Sequence, residues 1–243
     1  MIRLALTLAL ALLAQPALAQ SPSCKVPETV VAPPITIADG PTRNLPITNY
    51  VLALTWAPDF CATHTQLGGP GTALECGGHG AKFGFVLHGL WPNSDPDAHG
   101  ATWPQWCSPQ PPATLQVPAD VTRAMLCTTP SAALIAHEWA KHGTCMAPRP
   151  EVYFTQSAAM FRKLHFPDMA TLALRAHLTV GDLRRAFAQA NPLYTPVSIG
   201  VTVSEAGSLQ EIHLCLDRHL RAMPCAGPAT PDSAALRIVS PGR

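Results

Sequence analysis

The chain has 243 residues, with 16 Lys and Arg against 15 Asp and Glu and a formal net charge of +1. It has no basic tail and no Lys/Arg block, which excludes a protein that coats nucleic acid, though not an enzyme that holds a few phosphates at one site. Its 8 cysteines, an even number, read as up to four disulfides in an exported chain.

The chain opens MIRLALTLALALLAQPALAQ, in which Arg3 is the only charge. An apolar run leads to Ala17–Leu18–Ala19, the small-x-small pattern cut by signal peptidases. The run is too short to span a bilayer. Residues 1–19 are therefore read as a secretory signal, with an uncleaved anchor as the alternative. No later stretch is long and apolar enough to span, so the mature chain is expected to be soluble and exported, to a periplasm or the medium, with no membrane partner. About 224 residues remain, enough for one domain with a real core.

Residues 20–47 are Pro-rich and read as an extended arm that Cys24 can tie down; residues 48–243 read as one domain. YVLALTWAP (50–58) and KFGFVLHGL (82–90) are apolar runs flanked by Gly and Pro, and read as buried strands. Residues 59–81 between them read as a Gly-rich loop bracketed by Cys61 and Cys76, and 92–120 as a long ordered loop. Helical periodicity follows at about 120–127, 131–142, 151–164, 168–177 and 180–190, with Thr179 as an N-cap and Asp182 in the capping-box place. SIGVTVSEAGSLQEIHLCLD reads as two strands around a turn at Ala206–Gly207. Strands and helices mix without βαβ alternation, so the class is α+β, a sheet packed against several helices and stapled by disulfides.

HEWAKHGTC (137–145) poses the functional question. A zinc hydrolase needs two histidines four apart on one helix face. His137 and His142 are five apart and diverge by roughly 140°. Glu138 shares a strip with His142, and His137 with Lys141. The segment thus offers a histidine beside a carboxylate and a histidine beside an ammonium, and no metal is expected. Gly143 is placed at the C′ position ending the helix. In FVLHGLWPN (85–93) an apolar strand runs into His88, Trp91 offers a stacking face, and Pro92 ends the strand. A lone histidine there is more often a satisfied core residue, but the Trp–Pro edge beside it favours a site.

Two imidazoles from different elements can give and take a proton near neutral pH. With a cation and an aromatic shelf they suit RNA scission by its own 2′-OH, a reaction that relies on positioning and preorganised charge. DNA lacks the attacking group.

HGLWPN (88–93) and HEWAKHGTC (137–145) together resemble the two catalytic segments of the RNase T2 family of secreted endoribonucleases. LALTWAPDFC (52–61) resembles the family's first core strand, and EVYF (151–154) the helix after the second segment. The resemblance covers residues 50–165. It implies that His88 is the general acid and His142 the general base, labels that the sequence allows to be exchanged. It implies that Glu138 and Lys141 stabilise the pentacovalent phosphorus, that His137 binds phosphate and that Trp91 packs on sugar or base. The partner it implies is single-stranded RNA, cut through a 2′,3′-cyclic phosphate to a 3′-phosphate, by a monomer with no cofactor and a central antiparallel sheet.

The family pattern also implies the pairs Cys61–Cys76, Cys107–Cys145 and Cys215–Cys225, and Cys24–Cys127 by exclusion, a free thiol in that last pair being the alternative. Thr55 stands where many members have Gln near a base site, and Asn93, a candidate substrate contact, where some have an acid that reads a base. Leu134 and Ile135 replace aromatics. These departures are expected to touch base recognition and not the acid–base set, so broad base preference is expected. His64, His79, His99, His165, His177, His213 and His219 are assigned surface or core places, with His79 the one that invites a substrate or metal contact. A metal-dependent hydrolase and a disulfide-stapled binding or toxin protein remain the alternatives.

Overall fold

The computed structural model describes residues 24–64, 70–77, 82–95, 102–107, 115–227 and 229–240. The signal segment 1–19, His79 and His99 lie outside them. Among the described residues, four strands form one antiparallel sheet in the order β2-β1-β4-β3: β1 (Asn49–Trp56), β2 (Phe85–Asn93), β3 (Ile199–Val203) and β4 (Leu209–Asp217). The helices are α1 (Ala57–Thr63), α2 (Pro70–Cys76), α3 (Ala119–Met125), α4 (Ala132–Lys141), α5 (Pro150–Arg162), α6 (Met169–Ala173) and α7 (Val180–Ala190).

The sheet's two faces follow from strand alternation. Leu52, Leu54 and Trp56 of β1 point into the core with Phe85, Leu87 and Leu90 of β2 and Ile212, Leu214 and Leu216 of β4. Trp56, Phe166 and Phe187 surround Phe85, and Ile135 and Trp139 of α4 join the same cluster. Each such side chain, fully buried, contributes roughly 1.5–3 kcal/mol. The opposite face is set by the register Val51↔Trp91, Ala53↔Gly89 and Thr55↔Val86 toward β2, and Ala53↔His213 and Thr55↔Glu211 toward β4. The polar residues of the strands meet there.

The register slips between Ala53 and Leu54, so His88 is an extra residue in β2, a bulge. The outer hydrogen bonds of β2 agree. Leu87 N–H donates to the Thr128 carbonyl at 2.9 Å, and Leu90 N–H donates to the Tyr153 hydroxyl at 3.2 Å. Two outward residues three apart require one residue out of step. Pro92 does not end β2, because it shares Leu90's outward sense and an edge strand needs no N–H there.

Residues 59–81 differ from the expected loop, since α1 and α2 occupy much of the segment. Pro58 starts α1 at its first turn, where a missing N–H costs nothing, and Cys61–Cys76 joins the two helices. The helix expected at 168–177 is only five residues long, capped by Asp168 on Thr171 N–H. Thr179 and Asp182 form the capping box of α7. Gly143 does not adopt a left-handed cap. It begins a 3-10 turn (Gly143–Cys145), and a Cβ there would collide with the Trp139 ring and come within 3.0 Å of Tyr153. All 8 cysteines are bonded, as Cys24–Cys127, Cys61–Cys76, Cys107–Cys145 and Cys215–Cys225. The arm lies along the domain through Cys24–Cys127, Gln116 Nε2 to Pro33 O (2.7 Å) and the Arg43↔Gln105 bridge.

Candidate active site

The bulge at His88 turns its imidazole onto the polar face of the sheet. Nδ1 lies 2.6 Å from Glu211 Oε1 and Nε2 lies 3.4 Å from Glu138 Oε1. Glu138 comes from the middle of α4 and is buried; its Oε2 accepts from Trp91 Nε1 at 2.9 Å. This close approach of helix to strand explains Gly89, where any Cβ would strike the Glu138 carboxylate. His142 caps the C-terminus of α4, with its N–H on the Glu138 carbonyl at 3.1 Å. Its buried Nδ1 has no hydrogen-bond partner among the described residues. The Trp91 ring contacts both His88 (5.1 Å between centroids) and His142 (5.6 Å). The structure thus gathers His88, Trp91, Glu138 and His142 into one cluster.

Lys141 and His137 sit together beside it, on the strip of α4 that their spacing implied. Both face Trp106: its ring lies edge-on to His137 at 5.6 Å and 5.9 Å from Lys141 Nζ. Trp106 N–H caps the Lys141 carbonyl at 2.9 Å, and Cys107–Cys145 fixes this loop to the helix end. Asn93 is at the far end of β2, its amide 3.5 Å from the Trp91 carbonyl, away from the imidazoles.

Two residues enter the site to which the sequence did not point, Glu211 and His213, and a third, Thr55, enters in a different role from the one expected. Glu211 holds His88 on one oxygen and His213 Nε2 on the other at 2.8 Å. His213 is therefore neither a surface nor a core histidine; its ring lies 5.3 Å from Trp91. Thr55 donates to Glu211 Oε1 at 3.1 Å and is 3.3 Å from His88 Nδ1, so this departure, expected to touch base recognition alone, reaches the His88 imidazole. The available signal was the spacing Thr55 and, in β4, Glu211-x-His213, polar residues at period two in otherwise apolar strands. Glu75 of α2 is a fourth neighbour: burial pushes its carboxyl up to about 7, against the pull of the His88 charge.

The environments drive the two imidazoles apart. Burial alone would lower His88, but its bonds to Glu138 and Glu211 outweigh this and hold it at about 10. Burial lowers His142 to about 4, with Glu138 offsetting part of the effect. Burial would raise both carboxyls. The hydrogen bond and charge of His88 hold Glu138 below its ordinary value, and bonds from His213 and His88 hold Glu211 well below. At neutral pH these environments favour a cationic His88 and a neutral His142, both against the Trp91 ring.

The family model described as Ribonuclease T2 family matches residues 47–225. The chain belongs to the Ribonuclease T2 family. Among its relatives, a probable ribonuclease of Haemophilus influenzae is 27% identical over 190 residues, which are 76% of this chain and 64% of that protein. The chain thus spans under two thirds of that relative's length. Extracellular ribonuclease LE of Solanum lycopersicum is 28% identical over 182 residues, 67% of this chain and 73% of that one. Solved structures share the fold. An RNase-related protein from Calystegia sepium aligns with TM-score 0.59 at 22% identity, covering 79% of this chain and 96% of that one. RNase NT in complex with 5′-AMP aligns at 0.54 and 21% identity, covering 79% and 98%. The α+β class, with a central antiparallel sheet, is that of these Ribonuclease T2 neighbours.

Proposed function

We propose that the protein is an exported endoribonuclease that cleaves single-stranded RNA by transesterification, without a metal, and with broad base preference. The observation that carries this reading is the pair of imidazoles, His88 and His142, both packed against the Trp91 ring and gathered around the buried Glu138 in a Ribonuclease T2 chain. His142, neutral, takes the 2′-OH proton, and the 2′-oxygen attacks phosphorus. The P–O5′ bond breaks, and the 5′-oxygen leaves with the proton of His88 Nε2. The products are a 2′,3′-cyclic phosphate and a 5′-hydroxyl. In the second step the roles exchange. His88 takes a proton from water, the hydroxide opens the ring, and His142 returns its proton to the 2′-oxygen, leaving a 3′-phosphate.

Lys141 supplies positive charge for the phosphorane oxygens, with His137 beside it as a phosphate contact. Glu138 is an ionised carboxylate and would repel those oxygens directly. Its role is to hold His88 charged and to fix the Trp91 ring, on which sugar or base packs. Asn93, further along β2, contacts a neighbouring nucleotide in this reading. Export rests on the leader 1–19 and on the four disulfides; among the described residues no helix is long and apolar enough to cross a membrane. The arm 20–47 precedes the catalytic domain 48–243, and the protein acts as a monomer in this reading.

The attacking group is tested with a DNA oligonucleotide that carries a single ribonucleotide. The account predicts a cut only 3′ to the ribonucleotide, and none in the all-deoxy strand; cleavage of the all-deoxy strand contradicts it.

A further inference from the structure

His88 is reached from every side by ionisable or polar groups. Glu138 comes from α4, and Trp91 from its own strand. The charges of His142, His137 and Glu75 are close enough to couple with it. Thr55 approaches from β1, and Glu211, backed by His213, from β4. Of the two carboxylates, Glu211 makes the shorter bond, 2.6 Å to Nδ1 against 3.4 Å from Nε2 to Glu138. Glu211 is itself held on both oxygens: Thr55 Oγ1 and His88 on Oε1, His213 on Oε2. A carboxylate so pinned cannot rotate away, and its backbone is fixed opposite Thr55 in the sheet register.

We propose that Glu211 is a positioning residue of the reaction: its carboxylate takes the Nδ1–H of His88, so that the ring keeps an Nε2–H for the departing 5′-oxygen. His213 and Thr55 lock that carboxylate in place. This inference rests on the cleavage reaction above, in which His88 is the acid. Glu138 lies on the side of His88 from which the proton leaves, so it cannot supply the same function when substrate occupies the cleft. The imidazole–carboxylate pair is a known way of fixing a tautomer and stabilising the charged ring.

The test is the titration of His88 followed by ring ¹H–¹⁵N spectra of the full oxidised chain, with the His88 signals identified by their loss in His88→Ala. In Glu211→Gln, His88 should give up its proton about one pH unit or more lower than in the unaltered protein. The alkaline limb of kcat/KM on a dinucleoside monophosphate should move down with it. Glu211→Asp, which keeps the charge at shorter reach, should restore part of the shift, a result that a merely structural role would not give. An unmoved His88 titration in Glu211→Gln overturns the proposal; if that variant does not fold, an unmoved titration in Glu211→Asp does so. If His88 moves as expected but the unaltered protein cleaves no RNA, the cleavage reaction falls while the His88–Glu211 pair stands.

Discussion

His88 and His142 both pack against one indole, Trp91, yet their surroundings push their proton affinities in opposite directions, to about 10 and about 4. The free enzyme's kcat/KM should therefore rise as pH climbs through the His142 value and fall as it climbs through the His88 value, with a plateau around neutrality; a profile with one limb only would contradict the pairing. His88→Ala and His142→Ala should each lose about 10²–10⁴-fold in kcat/KM. They should separate on a substrate with a 5′-thiolate leaving group, which departs without a proton. Such a substrate should rescue His88→Ala and not His142→Ala, and the reverse pattern would exchange the acid and base labels. Thr55→Val removes one hydrogen bond to Glu211 and should cost about 1 kcal/mol, roughly fivefold in kcat/KM.

At the scale of elements, the site is made where α4 presses against the bulged edge strand β2. Gly89 at that contact, and Gly143 against Trp139 of α4 and Tyr153 of α5, leave no room for a side chain. Gly143→Ala should lower stability by about 1–3 kcal/mol through overpacking against Trp139 and Tyr153, seen as an earlier thermal unfolding midpoint. Gly89→Ala should displace Glu138 and lose activity as well as stability. These local segments were legible in the sequence because each carries its chemistry within a few residues: His137–Cys145 shows its helical strips, and His88–Trp91 its histidine and indole on an apolar strand. Glu211 and His213 were not legible as site residues, because Glu211 reaches His88 across 123 positions of chain through strand pairing and His213 joins the site through Glu211 and Trp91. The bulge that aims His88 depends on the same pairing. Helices α1 and α2 were hidden by Gly, Pro and Cys, whose composition resembles a loop until Cys61–Cys76 is seen to tie two short helices.

Across the whole molecule, disulfides and charge pairs set the range of conditions in which the site exists. Cys24–Cys127 closes a separation of 103 residues, worth about 4–5 kcal/mol in a chain-entropy account, so reduction should unfold the protein at a markedly lower temperature. His88 holds its proton more tightly folded than unfolded. Its contribution to stability is fully present below its ordinary 6.5 and is lost as pH rises through about 10. Glu138 and Glu211 are held below their ordinary 4.5, and contribute stability that is lost on acidification. His142, neutral in the fold down to about 4, weakens it on the same side, since the unfolded chain takes up the proton first. Thermal midpoints should thus be highest near neutrality and fall in both directions.

The most direct measurement of the central claim uses the oxidised chain from residue 20 onward with single-stranded RNA in excess EDTA, followed by analysis of product ends, with His142→Ala alongside. The account predicts 2′,3′-cyclic phosphate ends that mature to 3′-phosphates, and their loss in the variant. Cleavage that requires added metal, or no cleavage by the unaltered protein, would contradict a reaction carried by two imidazoles.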